Sequence, residues 1–172
     1  RTPVHIAPFG FRIGHSHKGL LVGSCFADRI GRIMRNHKLP VTVNPFGTLF
    51  NPASIAATLK RLEERRSYDA GNLTRYEERW ISFDHHGAFD GSDCEQTLRR
   101  INEALETGAE ALRTADYAIL TLGTAWVYEL RDTGRIVANC HKLPAAMFRR
   151  RRMSASEIVE TLGEAITRFL PG

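Results

Sequence analysis

The 172-residue chain is 42% hydrophobic and 25% charged, a composition typical of one globular domain with a sizeable core. No apolar run reaches the length of a membrane span and the start lacks a signal peptide's apolar region, so neither feature is expected. Much of the net charge of +5 lies in Arg149–Arg152, which does not by itself indicate a nucleic-acid partner. Cysteines that are odd in number and widely spaced favour reduced thiols and a cytoplasmic location.

Residues 1–18 are rich in Pro, Gly and His and predict an irregular lead-in to an α/β domain over residues 19–172. The domain is expected to begin with a strand at Leu20–Val22 that stops at Gly23. Helical periodicity follows at once and places four apolar residues on one face, namely Phe26, Ile30, Ile33 and Met34.

Ser24 stands at this junction between strand and helix. A serine in that position caps a helix well. The same position places its hydroxyl at the carboxyl edge of a sheet, where open α/β sheets bind ligands, beside helix N–H groups that stabilise negative charge. Position alone therefore leaves Ser24 open as a helix cap or as a nucleophile.

Val41–Val43 predicts a short second strand that is closed by a turn at Asn44–Gly47. Asn51 and Pro52 are expected to be the N-cap and first residue of a second helix. The buried stripe of this helix is predicted to be Ile55, Leu59 and Leu62. The order strand, helix, strand, helix is that of a βαβ unit, which predicts a parallel sheet with helices on both faces.

The pattern changes over residues 68–91, where aromatic residues lie among turn residues. A segment this long without a clear period predicts a loop or a small antiparallel excursion that covers the sheet edge. His85 and His86 lie in this segment and are expected to face solvent.

Ser92–Glu95 predicts a capping box for a third helix. Its apolar face is expected to comprise Leu98, Ile101, Leu105 and Leu112. Tyr117–Leu122 is a near-continuous apolar run, typical of a parallel strand that is buried on both faces.

Asp132–Gly134 predicts a hairpin turn between residues 126–130 and 135–138. The arginine run that follows could grip a phosphate or a carboxylate, but a solvated connection is the favoured interpretation. A capping box at Ser154–Glu157 is expected to open the last helix. Its buried residues are predicted to be Ile158, Leu162, Ile166 and Phe169.

Three predicted strand ends carry small or polar groups, namely Gly23-Ser24, Asn44–Gly47 and Gly123-Thr124. Neighbouring parallel strands present such ends to one crevice. A serine nucleophile there needs a base for its proton and donors for the oxyanion. The candidate donors are the N–H groups of Ser24 and Gly47, with Asn44 or Thr124. His141 is the candidate base because it follows a sheet element at this end, although it could instead orient a neighbouring loop.

Cys25 is a rival nucleophile because a helix N-terminus activates thiols. A thiol one residue into the helix can instead pack against the sheet, and burial is the favoured interpretation. A thiol or metal site built from Cys25, Cys140 and His141 is a third alternative, but we expect no metal.

Gly23-Ser24-Cys25-Phe26-Ala27 is the motif that gives the GSCFA family its name, and the chain resembles that family in four further blocks. These blocks are Asn44–Gly47, Asn51-Pro52, Leu122–Trp126 and Asn139–Lys142. The family is similar to the SGNH (GDSL-type) hydrolases, which are serine esterases and acyl hydrolases on a flavodoxin-like, three-layer α/β/α fold. The resemblance implies that fold, of which we expect only the N-terminal part here because the chain stops after a helix.

Carried over by position, the resemblance implies that Ser24 is the nucleophile and an oxyanion donor, and that Gly47 is a second donor. SGNH enzymes usually have Gly-x-Asn-Asp in the third block, where this chain has Gly123-Thr124-Ala125-Trp126, so Thr124 is the candidate third donor. They take their acid-base pair from an Asp-x-x-His block, which does not occur in these 172 residues. We expect that block beyond Gly172, the alternatives being His141 as base or an inactive domain.

The expected activity is hydrolysis of a small ester, such as an acylated carbohydrate, through an acyl-Ser24 intermediate. No cofactor, nucleic-acid partner or membrane partner is expected. Acyl transfer to a sugar hydroxyl is a close variant, and a non-catalytic ligand-binding or interaction domain is the alternative from another class. The oligomeric state is left open.

Overall fold

A computed structural model describes residues 10–167. Its strands are β1 (Gly19–Gly23), β2 (Val41–Val43), β3 (Thr74–Tyr76), β4 (Arg79–Ile81), β5 (Tyr117–Thr121), β6 (Trp126–Leu130), β7 (Ile136–Val137) and β8 (Phe148–Arg152). Its helices are α1 (Cys25–Asn36), α2 (Pro52–Glu64), α3 (Cys94–Thr114) and α4 (Ala155–Thr167). Residues 10–18 contain no helix or strand, and the rest of the predicted lead-in lies outside the described residues, as does Phe169.

A parallel sheet with the strand order β2-β1-β5 confirms the predicted α/β class. The central strand is wholly buried because Leu20, Leu21 and Val22 alternate between two covered faces. Leu20 and Val22 belong to a core cluster with residues of α2 and α4. Leu21 pairs in register with Val43, whose side chain lies against α1. Helices therefore cover both faces of β1.

Helix α1 packs on the sheet through small residues rather than through its apolar stripe. Ala27 and Gly31 are its buried residues, and a Cβ at Gly31 would lie 2.3 Å from Val43 Cγ2. Phe26 and Ile33 are 60% and 46% exposed, so the face that carries the apolar residues is not the packing face of the helix. The predicted burial of Cys25 is wrong, because its thiol lies on the exposed side of the helix.

The predicted cap and core of α2 are confirmed. The N–H of Ser54 donates to Asn51 Oδ1 at 2.8 Å, and Pro52 occupies the first helical turn. The helix buries the predicted stripe of Ile55, Leu59 and Leu62. The helix therefore anchors the segment that connects the turn after β2 to α2, at the edge of the sheet.

The predicted antiparallel excursion is confirmed by the β3–β4 hairpin. His85, which follows the hairpin, is fully buried, so its predicted solvent exposure is wrong. Its ring packs among Phe46, Tyr68 and Phe89, with centroids 4.3 to 5.0 Å apart. The cap of α3 is Asp93 rather than Ser92, because Asp93 Oδ1 accepts from the N–H of Gln96.

Within residues 10–167, β5 is an edge strand of the parallel sheet. Its residue Ala118 is exposed, so the predicted burial of this strand on both faces is wrong. A separate antiparallel sheet has the order β7-β6-β8 and confirms the predicted hairpin. The arginine run is strand β8 and not a solvated connection, because Glu129 on β6 accepts from Arg149 and Arg151.

Ser154 caps α4 by accepting from the N–H of Glu157, as predicted, but the Glu157 carboxylate pairs with Arg151 and does not complete the capping box. Ala165 is the buried residue of α4, whereas Ile166 is exposed, contrary to the prediction. No helix within residues 10–167 is long and apolar enough to cross a membrane.

Candidate functional site at the carboxyl edge of the parallel sheet

Ser24 lies where β1 turns into α1. Gly23 has a φ of 143°, and a Cβ there would lie 2.2 Å from the carbonyl oxygen of Thr121, so only glycine permits this turn. Ser24 Oγ accepts from the N–H of Phe26 at 3.3 Å, which confirms the capping role. That bond is long, and the residue is only 6% exposed. The hydroxyl is therefore held at the helix N-terminus without being strongly engaged by it.

Thr121, the last residue of β5, is the principal neighbour of Ser24. The N–H of Ser24 donates to the Thr121 carbonyl at 3.1 Å and to its Oγ1 at 2.9 Å. The two hydroxyl oxygens are 3.1 Å apart. In this conformation the N–H predicted to be an oxyanion donor is thus occupied. The next N–H, that of Cys25, has no acceptor among the described residues.

Asn44, at the end of β2, holds the turn on the other side of Ser24. Its Oδ1 accepts from the N–H of Gly23 and its Nδ2 donates to Asp28 Oδ1, both at 2.7 Å. Its φ of 45° is left-handed, a conformation that asparagine tolerates better than most residues. Asn44 therefore joins β1, β2 and α1, and it keeps one amide hydrogen that makes neither bond.

Gly47 closes the turn after β2. Its N–H donates to the carbonyl of Asn44 at 2.8 Å, and its φ is 79°. A Cβ at Gly47 would lie 2.3 Å from His86 Cβ. The turn is therefore packed directly against the segment that carries His86, and the N–H proposed as a donor is used within the turn.

Gly123 and Thr124 follow β5, and Gly123 lies beside Ser24. Both N–H groups donate to the carbonyl of Phe50, at 2.8 and 3.0 Å. A Cβ at Gly123 would lie 3.4 Å from Ser24 Cβ and 2.9 Å from Phe50 Cδ1. Thr124 Oγ1 accepts from the N–H of Trp126, which leaves its own proton to donate. The structure thus brings together all three predicted strand ends.

His141 is held in the core, away from these contacts. Its fully buried ring places Nε2 2.8 Å from the carbonyl oxygen of Ser82 and Nδ1 2.9 Å from Asp90 Oδ1. Both ring nitrogens therefore face oxygen atoms of the core. Among residues 10–167, no hydrogen bond joins His141 to Ser24. A base role for His141 would require these two contacts to open.

The cysteines are not arranged as a metal site. Cys25 is exposed at the start of α1, whereas burial raises the pKa of the Cys140 thiol. No group of three or more His, Cys, Asp or Glu side chains within the described part of the chain is placed to hold a metal ion.

A cavity of about 760 Å³ opens next to the Ser24 turn. Phe50 and Thr124 line it, and a Cβ at Gly123 would lie close to both Phe50 Cδ1 and Ser24 Cβ. His86 also lines it, with its Nδ1 accepting from the N–H of Ala88 at 3.2 Å. Ser24 itself does not line the cavity, but it lies next to Gly123, as does the lining residue Phe50.

A second cavity, of about 560 Å³, lies between α2 and the turn before β7. Its basic side chains are already engaged. Arg135 pairs with Asp84, and Arg61 donates to the carbonyl of Ser67 while stacking on the ring of Tyr68. Arg135 and Arg61 are therefore already paired with groups of the protein itself.

The model of the GSCFA family matches residues 18–170, which is nearly the whole chain. The chain belongs to the GSCFA family. Neither the comparison with curated proteins nor the comparison with solved structures gives a significant match. In this GSCFA domain, the motif residue Ser24 lies beside Asn44 and Gly123, so blocks far apart in the sequence meet at one edge of the sheet.

Three features of the site were missed from the sequence. Thr121 lies in the predicted apolar strand and Asp28 in the predicted first helix. Only the pairing of β5 with β1 brings Thr121 to Ser24, and only the bond from Asn44 shows that Asp28 supports the turn. His86 could have been found from Gly47, because a glycine is needed wherever another backbone segment approaches closely.

Proposed function

We propose that this GSCFA domain is a serine acyl hydrolase that cleaves a small ester, such as an acylated carbohydrate, through an acyl-Ser24 intermediate. The observation that supports it is the placement of Ser24 Oγ at the N-terminus of α1, where the ends of β1, β2 and β5 meet. Negative charge is favoured at that point by the helix dipole. Among residues 10–167, the Ser24 hydroxyl is engaged only by a long capping bond and by the Thr121 hydroxyl.

In the proposed reaction, Ser24 Oγ attacks the ester carbonyl carbon and its proton passes to a base. The tetrahedral oxyanion collapses, the bond to the leaving oxygen breaks, and the base returns the proton to the departing alcohol. Water then attacks the acyl-Ser24 carbonyl, and Ser24 regains its proton. The products are a carboxylic acid and an alcohol.

The proposed oxyanion donors are the N–H of Cys25, the hydroxyl of Thr124 and the remaining amide hydrogen of Asn44. The Cys25 N–H is the first of α1 and has no acceptor among the described residues. The N–H groups of Ser24 and Gly47 would serve only if their present bonds to Thr121 and Asn44 opened. Preorganised donors of this kind are worth about 3 kcal/mol each in known serine hydrolases.

No imidazole among residues 10–167 is hydrogen-bonded to Ser24 Oγ, whose partners are Thr121 Oγ1 and the N–H of Phe26. We therefore assign His141 a positioning role, tying the segment after β7 to the segment after β4. The base in the proposed reaction is therefore a different group, which does not take part in these contacts.

The test is hydrolysis of p-nitrophenyl acetate by the full-length protein and two variants. Ser24→Ala is expected to reduce kcat/KM by at least about a thousandfold, because it removes the nucleophile. Cys25→Ala is the matched control and should retain activity, because its exposed thiol takes no part. A Ser24→Ala variant as active as wild type, or an inactive Cys25→Ala variant, would contradict the proposal.

Acyl transfer uses the same intermediate, with an alcohol in place of water. Adding methyl glucoside to the assay distinguishes the two reactions, because a transferase forms the acylated glucoside while a hydrolase releases the free acid. A folded full-length protein that binds esters but turns none over would instead favour a non-catalytic binding domain.

A further inference from the structure

The four arginines of β8 are divided by the strand's alternation. Arg149 and Arg151 lie on one face, where each donates to the Glu129 carboxylate at 2.5 Å. Arg151 also pairs with Glu157 at 2.7 Å. The bond from Arg151, which has the larger effect, and the bond from Arg149 hold the pKa of Glu129 below its usual range. The arginines on this face are therefore paired with carboxylates of the protein itself.

Arg150 lies on the opposite face, opposite Tyr128 in register. Its guanidinium carbon is 4.1 Å from the centroid of the Trp126 ring and 6.0 Å from that of Tyr128. No carboxylate within residues 10–167 pairs with Arg150. Stacking on an indole uses the flat face of a guanidinium and leaves its N–H edge free for oxygen acceptors.

This face of the sheet lines the 760 Å³ cavity beside the Ser24 turn. Phe50, Trp126 and Tyr128 line it and are each 41% exposed, although large apolar side chains usually find cover. The volume lies in the range of small-molecule sites, which combine apolar walls with a few polar groups. The cavity thus offers an aromatic wall with a single unpaired cation.

We propose that this cavity binds a small anionic ligand whose flat or apolar body packs on Trp126 and Tyr128 and whose carboxylate or phosphate oxygens bind Arg150. Charge complementarity carries the proposal: Arg150 and Arg152 have no carboxylate partner among residues 10–167, and of the two Arg150 lines the cavity and stacks on Trp126. Guanidinium groups bind both kinds of oxyanion through paired N–H bonds. A single such arginine in a concave site suits one anionic group, whereas nucleic acid needs several phosphate contacts.

The position of the cavity makes this ligand the anionic part of the ester that Ser24 would cleave. Ser24 and Phe50, which lines the cavity, both lie next to the Cβ position of Gly123. That assignment rests on the proposed hydrolase function, but binding of the anion to Arg150 does not.

The test is isothermal titration of the full-length protein with 2-naphthoate, 2-naphthyl phosphate and neutral 2-naphthol. At least one anion should bind, and 2-naphthol should bind at least about tenfold more weakly, because it cannot use a charge-assisted bond. Comparison of the two anions shows whether the site prefers a carboxylate or a phosphate. Equal binding of naphthol, or no binding of either anion, would overturn the proposal.

Arg150→Gln should weaken binding of the preferred anion about tenfold or more, and Arg150→Lys should restore only part of it. Arg152→Gln is the matched control: it removes the same charge from the same strand, but residue 152 does not line the cavity. Trp126→Leu should also weaken binding by removing the stacking surface. Equal effects of Arg150→Gln and Arg152→Gln would show a general charge effect and overturn the site.

Repeating the titration with Ser24→Ala separates this proposal from the hydrolase function. Anion binding should be unchanged in that variant, because the contacts to Arg150 and Trp126 do not involve the Ser24 hydroxyl. Retained binding with no esterase activity in the wild type would leave the anion site standing and remove the hydrolase proposal alone.

Discussion

The hydroxyl of Ser24 lies 3.1 Å from that of Thr121, and the Ser24 N–H donates to the same threonine through both its carbonyl and its Oγ1. Thr121, at the end of β5, thus holds Ser24, the N-cap residue of α1, in place. These contacts set the position and the orientation of the Ser24 hydroxyl at the edge of the sheet. Thr121 is therefore a positioning residue for the proposed nucleophile.

Thr121→Val should lower kcat for p-nitrophenyl acetate about tenfold with little change in KM, because the two bonds of Thr121 Oγ1 to Ser24 are lost while the cavity is unaltered. Thr42→Val on the neighbouring strand β2 is the matched control and should leave kcat unchanged. Equal activity of the two variants would mean that Thr121 does not orient Ser24.

Gly47→Ala and Gly134→Ala compare two glycines with similar positive φ values, 79° and 70°. Gly134 faces open space, so its substitution should cost only the left-handed backbone strain, about 1 kcal/mol of unfolding free energy. Gly47→Ala should cost at least about 2 kcal/mol more, because its Cβ would lie 2.3 Å from His86 Cβ. Urea denaturation measures both, and equal costs would show that the turn can move away from His86.

His141→Gln distinguishes a positioning histidine from a base. If the ring ties Ser82 to Asp90, the substitution should lower the free energy of unfolding by about 2 kcal/mol, because the buried contacts of the ring are lost while Asp90 keeps its bond to Arg79. Fluorophosphonate labelling of Ser24 in the remaining folded protein should persist. A variant with wild-type stability and no labelling would identify His141 as the base after all.

His85 gives the domain a specific dependence on pH. Burial, its largest cause, lowers the pKa of His85 to about 3, with Asp84 opposing the shift and Arg61 and His141 adding to it. The unfolded chain therefore binds this proton near pH 6.5, while the folded chain resists it. The stability contributed by neutral His85 is present above pH 6.5 and is lost as pH falls from there toward 3.

His85→Asn keeps an acceptor for the hydroxyl of Ser82 and removes the titration. Between pH 6 and pH 5, wild type should lose about 1 kcal/mol more unfolding free energy than this variant. His37→Gln, which changes an exposed histidine, should behave like wild type. Parallel losses in wild type and His85→Asn would show that His85 is not the titrating group.

The fold around Ser24 could be predicted because its signals are local. An apolar run that stops at Gly23, a capping serine and the asparagine-proline cap of α2 each predict an element boundary without knowledge of the partners. The parallel sheet that β1, β2 and β5 share follows from the same elements, since parallel strands with helical crossovers pair in one sheet.

The remaining errors concern tertiary partners, which a linear pattern does not contain. Four arginines predict no strand, yet β8 forms because Glu129 neutralises Arg149 and Arg151 across the sheet. The apolar stripe of α1 is exposed because Gly31 lets the helix approach Val43 more closely than Phe26 or Ile33 could. Thr121 was missed for the same reason, because only strand pairing brings it to Ser24.

The most direct measurement is labelling of the folded, full-length protein with a fluorophosphonate, followed by mass spectrometry of its peptides. Attack by Ser24 Oγ on phosphorus would release fluoride and leave one adduct on the peptide that contains Ser24. Ser24→Ala and heat-denatured wild type should carry none, and Cys25→Ala should be labelled like wild type. A folded wild-type protein with no adduct on Ser24 would contradict its role as the nucleophile.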